Sequence, residues 1–300
     1  MVHSPTMGMN NRRAMLEAIV AVVVWGASFV ATKVALRYTS PDVVVWLRFA
    51  MGVVILGVAV LAGQKFTLPE KRDWPYFALL GFLGITFHQW LQSTGLVTSQ
   101  ASTTSWIVST APIFIALLAW IFLHEKLGLI AVAGICLATL GVLLVVTKGN
   151  FSGMFTGNIG TSGDLLVMIS APNWAVFSVL SRRALKKFPA LFVLFYVMLF
   201  GWMFSSIHFI SIQGWTFLHQ ISYAGWLAIG FLGIGCTALA YIFWYDGLQA
   251  ITASQAGVFL YIEPLVSLVA AALILGETIT LPALFGGSLI LLGVWLVNRQ

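Results

Sequence analysis

Ten apolar stretches of about 20 residues fill the sequence and decide what it can fold into. They cover residues 15–36, 43–62, 75–96, 101–123, 129–147, 163–184, 190–210, 223–246, 253–275 and 281–298, which we call spans 1 to 10. A helix of about 20 apolar residues crosses the hydrocarbon core of a bilayer, whereas a transmembrane barrel shows alternating segments of about ten residues. The sequence therefore predicts an all-α integral membrane protein with ten transmembrane helices.

Little of the chain remains for other structure. Only 8% of its residues are charged, against roughly a quarter in soluble domains. The longest connections, around 63–74 and 148–162, are too short for a soluble catalytic domain. Arg12 and Arg13 precede span 1 as they would in a signal peptide. The length of span 1 and the nine spans after it favour an uncleaved helix behind a short tail, residues 1–14.

The basic residues lie mainly in connections between spans, so the net charge of +6 indicates membrane orientation and no nucleic-acid partner. With the amino terminus in the cytoplasm, eleven basic residues are cytoplasmic: Arg12, Arg13, Lys65, Lys71, Arg72, Lys126, Arg182, Arg183, Lys186, Lys187 and Arg299. Three are external, namely Lys33, Arg37 and Lys148. Because positive charge concentrates on the cytoplasmic side, we expect both termini to be cytoplasmic.

The two halves of the sequence resemble each other. Pro112 is followed 13 residues later by Glu125, and Pro264 by Glu277, so both pairs are separated by 152 residues (264 − 112 and 277 − 125). Other matches are "WGASFVATKVAL" from Trp25 with "WAVFSVLSRRAL" from Trp174, "FLGI" from Phe82 and Phe231, "SQA" from Ser99 and Ser254, Gly134 with Gly286, and "GVLLV" from Gly141 with "GVWLV" from Gly293. Matches in unbroken order indicate two homologous units.

The units are residues 15–147 and 163–298, joined by the loop 148–162, and each contains five spans. A unit with an odd number of spans enters the membrane from the side opposite to its twin, so the halves form an inverted pair. Inverted repeats give transporters two alternative openings around one site near the midplane. This organisation predicts a transporter with alternating access around a central cavity.

The doubled five-span unit, the "AP" and "EP" prolines followed by "HEK" and "GET", and the endings "GVLLV" and "GVWLV" resemble the drug/metabolite transporter superfamily in its EamA-type ten-helix branch. Overall, the sequence is similar to the YddG-type exporters of aromatic amino acids within that branch. The resemblance implies a basket of ten helices around a central cavity, cytoplasmic termini and efflux of small metabolites across a bacterial inner membrane.

Polar and aromatic residues recur at helical spacing within several spans. In span 3, His88 and Gln92 share one face. The candidate substrate-binding residues are Trp25, Ser28, His88, Gln92, Trp106, Ser109, Asn173, Trp174, Tyr241, Tyr245, Tyr261 and Glu263. Polar side chains also join helices to one another, at about 0.6 kcal/mol each, and deep aromatic rings also pack between helices. Helix packing therefore stays open as the alternative for each of them.

Three residues in spans 4 and 9 lie near the predicted centre of the membrane: Pro112, Glu263 and Pro264. Pro112 and Pro264 lie about ten residues into their helices, where each frees a backbone carbonyl. They are candidate hinges or structural kinks. Glu263 precedes Pro264 at membrane depth, where charge is costly. It is a proton-coupling site, a partner for a substrate ammonium group, or a hydrogen-bonded carboxyl that fixes the kink.

Other function classes find little support. The sequence contains no H-E-x-x-H, G-x-S-x-G or G-x-x-x-x-G-K-[ST] motif, so we expect neither an enzyme nor an ATPase, and no metal or cofactor.

Anionic substrates would need Lys or Arg at the midplane. Only Arg48 lies near that depth, where it can also extend to the surface. Small neutral or zwitterionic substrates are therefore favoured over anionic ones. The deep aromatic residues and the family resemblance favour aromatic amino acids, with a broad-specificity drug and metabolite exporter as an alternative. A passive channel for small polar solutes remains an alternative. Gly286 and Gly287 permit close helix contacts within one chain or between two, so the oligomeric state stays open.

Overall fold

The regular elements of the structure, a computed structural model, are all helical over the residues it describes, 9–62, 68–123, 128–150, 160–244 and 259–298. In the first half, span 1 is Met9–Ala35, span 2 is Pro41–Ala62, span 4 is Ala101–Val108 and Ala111–Leu123, and span 5 is Leu129–Thr147. Span 3 consists of Trp74–Gly81, the π-helical segment Phe82–Phe87 and His88–Thr98. In the second half, span 6 is Ser162–Lys187, span 7 is Ala190–Ser211, span 8 begins with Tyr223–Gly230 and the π-helical segment Phe231–Leu239, span 9 is Ile262–Ala270 and the π-helical segment Ala271–Leu275, and span 10 is Leu281–Asn298. A 3₁₀ helix, Gly214–Gln220, connects spans 7 and 8.

Eight helices among the described residues are long and apolar enough to cross a membrane, namely those of spans 1, 2, 4, 5, 6, 7, 8 and 10. The described part of span 9, Ile262–Leu275, is shorter. Span 3 is not among the eight, and its His88 and Gln92 lower its mean hydropathy. No more than 50% of any of the eight apolar windows is buried within the protein, which leaves the other face for lipid. The prediction of an all-helical, multi-pass membrane protein is confirmed.

Spans 5 and 10 pack closely through glycines that match in sequence. A Cβ added to Gly134 would lie 2.6 Å from the carbonyl oxygen of Gly293, and one added to Gly286 would lie 2.6 Å from that of Gly141. Only a residue without a side chain allows backbones to approach this closely. Because early positions of one helix meet late positions of the other, the two matched helices run antiparallel.

Spans 3 and 8 contain π-helical segments that start at the same "FLGI" motif, from Phe82 and Phe231. A π turn shifts the backbone hydrogen bonds by one residue and leaves carbonyls to be satisfied by other groups. The side chain of Asn173 donates to the Leu83 carbonyl (2.8 Å), and that of Thr237 donates to the Leu232 carbonyl (2.9 Å). Leu83 and Leu232 are the same position of the motif, so the two spans deviate from α-helix in the same way.

Spans 4 and 9 are interrupted just before their prolines. The break falls at Ser109 and Thr110 in span 4, and the helix of span 9 starts at Ile262, immediately before Glu263 and Pro264. Tight backbone hydrogen bonds join Thr110 to Ile107 (3.1 Å) and Glu263 to Leu260 (3.2 Å) at these points. Proline cannot donate to the preceding turn, which explains the position of both breaks.

Candidate functional site

Span 1 brings its tryptophan against span 8. The indole Nε1 of Trp25 donates to the Cys236 carbonyl (3.1 Å), and the ring lies 5.1 Å from that of Tyr241 and 5.4 Å from that of Trp244. These separations are typical of tilted and edge-to-face aromatic pairs. We call Trp25, Tyr241 and Trp244 the Trp25 group.

Span 6 brings the matching tryptophan against span 3. The ring of Trp174 lies 4.8 Å from that of His88 and 5.0 Å from that of Phe177. His88 is buried and bonds the backbone of Ser170, while its Nδ1 is enclosed without a hydrogen-bond partner in the described chain. We call Trp174, His88 and Phe177 the Trp174 group. Trp25 and Trp174 match at an offset of 149, and each contacts the third span of the opposite half.

Arg48 lies between the two aromatic groups, and this corrects the expectation of an interior without midplane basic residues. Its side chain is only 8% exposed, with Nε donating to Thr237 Oγ1 (2.8 Å) and Nη1 to Gln89 Oε1 (3.0 Å). It is within electrostatic range of His88 and of Tyr241. Arg48 therefore does not extend to the surface. The sequence could not reveal this, because the position of Arg48 along span 2 does not say which neighbours surround it.

Glu263 lies beside the Trp25 group. A Cβ on Gly26, next to Trp25, would be 2.6 Å from the Glu263 carbonyl oxygen. The carboxylate is within electrostatic range of Tyr241 and Cys236. No hydrogen bond or ion pair of this side chain occurs in the described part of the chain, so nothing there shows it as the hydrogen-bonded carboxyl that fixes a kink.

Three other candidates lie apart from these groups. Trp106 is almost fully buried in a core cluster of spans 4, 5, 9 and 10, and its ring fills the space over Gly287. Tyr261 packs against the same cluster and accepts a hydrogen bond from the side chain of Asn298 (3.1 Å). The Ser109 hydroxyl donates to the Ser105 carbonyl in its own helix (2.8 Å). These contacts are those of helix packing.

The contacts of the remaining candidate residues do not assign a role to them. Gln92 is buried and makes no side-chain hydrogen bond within the described ranges, while the Ser28 carbonyl accepts from Thr32 (2.8 Å). Pro264 is buried and Pro112 half-buried, each just after its break. Tyr245 lies outside the described residues.

A cavity of about 470 Å³ lies between spans 2, 3 and 7 and contains none of the predicted site residues. Its walls include Phe82, Trp90 and Ile207, all of which are exposed. Nδ1 of His208 lies 2.8 Å from Oδ1 of Asp42 in the lining of this cavity. Because its walls are mostly apolar and exposed among the helices, it is a groove on the outer face of the bundle.

One end of the bundle carries a polar network, which we call the Lys33 end. Lys33 Nζ donates to the Ser99 carbonyl, and the Ser99 hydroxyl donates to Asp164 Oδ1 (2.5 Å). Asp164 also forms a capping box with Thr161 at the start of span 6. Glu277 accepts from the backbone of Ala101 (2.8 Å). The network joins the ends of spans 1, 3, 4, 6 and 9.

Long apolar helices that enclose polar and charged side chains define a multi-pass membrane protein whose interior residues mark a functional site. The chain belongs to the EamA-like transporter family, whose profile matches residues 12–147 and 161–299. An uncharacterized transporter of Archaeoglobus fulgidus is 32% identical over 93% of this chain and 96% of its own length. A probable terminal-alkyne amino-acid exporter of Streptantibioticus cattleyicolor is 28% identical over 96% of this chain and 94% of its own. A crystal structure with a TM-score of 0.63 and 22% identity, covering 94% of this chain and 95% of that chain, shares the fold.

Proposed function

We propose that the chain is a secondary transporter that exports small neutral or zwitterionic metabolites, most readily aromatic amino acids, from bacteria across the inner membrane. The observation that carries this proposal is the approach of the Trp25 group and the Trp174 group to either side of the buried Arg48. Each aromatic contact with a flat substrate contributes about 0.5–1.5 kcal/mol beyond burial. The resemblance to YddG-type exporters supports aromatic amino acids as substrates. The similarity to the Streptantibioticus amino-acid exporter supports amino acids as the wider substrate class.

The proposed mechanism is alternating access between two inverted five-helix halves, residues 15–147 and 163–298. The antiparallel pairing of the matched spans 5 and 10 supports it. The breaks before Pro112 and Pro264 are the proposed hinges, because a broken helix changes direction without losing further backbone hydrogen bonds. In this proposal the Lys33 end is external, both termini are cytoplasmic, and ten helices cross the membrane.

Glu263 is the proposed partner of the substrate ammonium group or of a coupled proton. Its carboxylate has no partner in the described chain, and an intramembrane carboxylate usually marks a substrate or ion pathway. Ser28 and Gln92 complete the proposed site as hydrogen-bonding groups. Trp106, Ser109 and Tyr261 take part only if the packing seen here changes during transport.

The test is counterflow of labelled phenylalanine in liposomes that contain the purified protein, with and without a pH gradient. We expect saturable exchange, competition by Phe, Tyr and Trp, and weak competition by Glu and Lys. Glu263→Gln should abolish the response to the pH gradient, whereas Glu70→Gln, at an exposed ion pair with Arg72, should not change it. A proton-coupling role is ruled out if Glu263→Gln leaves the pH dependence intact.

Two other functions predict different results in the same assay. A broad-specificity drug and metabolite exporter would be inhibited by bulky apolar cations as strongly as by phenylalanine. A passive channel would show flux that rises linearly with concentration and no counterflow, because counterflow requires a binding site that alternates between the two sides.

A further inference from the structure

Arg48 carries a charge that no carboxylate of the described residues neutralises. None of the ion pairs among the described residues includes it. Its partners Gln89 and Thr237 are neutral, and two hydrogen bonds use only two of the five guanidinium N–H groups. A buried charge without a counter-ion is costly, so the protein keeps Arg48 at the expense of stability.

The second half of the chain has an apolar residue where the first half has Arg48. The position that corresponds to Arg48 at an offset of 149 is Val197, which is 3% exposed. The Val197 carbonyl lies close to Gly81 of span 3 and the Arg48 carbonyl lies close to Gly233 of span 8. At the same offset Gly233 corresponds to Gly84 (233 − 149), so the two contacts differ by about one helical turn. Because a valine occupies the corresponding position, the charge of Arg48 is specific to the first half of the chain.

The free part of the guanidinium is not fully enclosed by the described residues. Nη2 donates no hydrogen bond to the described residues, and it is not among the fully enclosed polar atoms that lack a partner. The same holds for the Glu263 carboxylate and the Tyr241 hydroxyl. Tyr241 is within electrostatic range of both charged residues, although they form no ion pair with each other. A cation and an anion from different helices therefore both act electrostatically on the Tyr241 hydroxyl.

We propose that Arg48 binds the carboxylate of a zwitterionic substrate. The proposal rests on the export function proposed above and names the group that selects its substrate. Gln89 and Thr237 hold the guanidinium at Nη1 and Nε, so that its remaining N–H groups point at one carboxylate, a geometry that Arg offers and Lys does not. Glu263 receives the ammonium group, and the side chain lies along the Trp25 group.

The test compares three ligands of one shape in the counterflow assay, each added unlabelled against labelled phenylalanine. Phenylalanine carries both charges, phenethylamine lacks the carboxylate, and 3-phenylpropionate lacks the ammonium group. For the wild-type protein we expect phenylalanine to compete about 10- to 100-fold more strongly than either analogue, since one hydrogen bond to a charged group is lost each time. This comparison needs no mutation, so it does not depend on the folding of a variant.

The second arm uses Arg48→Gln and Arg48→Lys. We expect Arg48→Gln to weaken competition by phenylalanine about 10- to 100-fold and to leave phenethylamine unchanged, because only the carboxylate contact is removed. Arg48→Lys should retain part of the preference for phenylalanine over phenethylamine, since lysine keeps the charge but lacks the paired N–H groups of the guanidinium. Arg37→Gln, the same change at an exposed arginine, is the control and should behave as wild type.

The outcomes separate this proposal from the export function. If Arg48→Gln weakens phenylalanine and phenethylamine equally, or neither, while the wild-type protein still carries phenylalanine, Arg48 is structural and only this proposal is wrong. If 3-phenylpropionate competes as strongly as phenylalanine and depends on Arg48, the carboxylate site stands and the zwitterionic substrate class does not. If the wild-type protein binds none of the three, the proposed function fails, and the Arg48 site fails with it.

Discussion

Glu277 accepts two hydrogen bonds from Ser102, one from its backbone N–H (3.2 Å) and one from its hydroxyl (2.6 Å). Together with the bond from Ala101, they place a carboxylate of the span 9–10 connection at the first turn of span 4. A carboxylate at this position satisfies free backbone N–H groups and complements the helix dipole. The contact therefore ties the span 9–10 connection to the start of span 4 at the Lys33 end of the bundle.

Glu277→Ala should open that end. Removing a helix-capping side chain costs about 0.5–2 kcal/mol, so the open population should rise by up to about 30-fold. The measurement is labelling of a cysteine at Ser28 by an impermeant reagent outside intact cells, in a protein without Cys136 and Cys236. Glu70→Ala, at an exposed ion pair, is the control. Equal labelling of both variants would mean that Glu277 does not hold the end closed.

Gly287→Ala should destabilise the protein, because the added Cβ would lie 2.5 Å from the ring of Trp106. Overpacking of this kind costs about 1–3 kcal/mol. Gly230→Ala is the matched control, since a Cβ there has no neighbour within 4 Å and alanine favours helix by up to about 1 kcal/mol. Thermal unfolding of both variants in one detergent should show a lower transition for Gly287→Ala alone. An unchanged transition would show that the ring of Trp106 moves aside at little cost.

Orientation can be tested with two lysines that lie at opposite ends of the bundle. Lys186 is exposed in the last turn of span 6, and Lys148 is exposed just after span 5. If the basic residues set the topology, a cysteine at Lys148 should react with an impermeant reagent outside intact cells. A cysteine at Lys186 should react only after permeabilisation. Reaction of Lys186→Cys from outside would reverse the proposed orientation.

Repetition in the sequence predicts much of the fold and only part of the site. The matches of Gly134 with Gly286 and of Gly141 with Gly293 anticipate the close pair of spans 5 and 10, because such glycines serve backbone contact. The sequence does not distinguish Trp106, which packs in a core cluster, from Trp25, which lies beside Tyr241. Both are deep in their spans, but depth does not say which neighbours a side chain contacts. Arg48 was missed because its burial depends on Gln89 and Thr237, which come from two other spans.

Trp25→Ala and Trp106→Ala should affect different properties. The ring of Trp25 is half-buried beside Tyr241, so its loss should weaken competition by phenylalanine about 2- to 10-fold, as expected for one aromatic contact. Trp106 is 2% exposed in a packed cluster, and its truncation should cost about 3–5 kcal/mol of stability. The Trp106→Ala protein that remains folded should bind phenylalanine as the wild type does.

Two measurements on each variant separate these effects: the unfolding transition in detergent, and the half-inhibitory concentration of phenylalanine in counterflow. Leucine is the control competitor, because it has similar bulk and no ring, and its weaker competition should change little in Trp25→Ala. If Trp106→Ala instead loses affinity for phenylalanine without a lower transition, span 4 contributes to the site and spans 1, 3, 6 and 8 do not suffice. If Trp25→Ala keeps full affinity, the Trp25 group only packs helices together, and the proposed aromatic selectivity has no structural basis there.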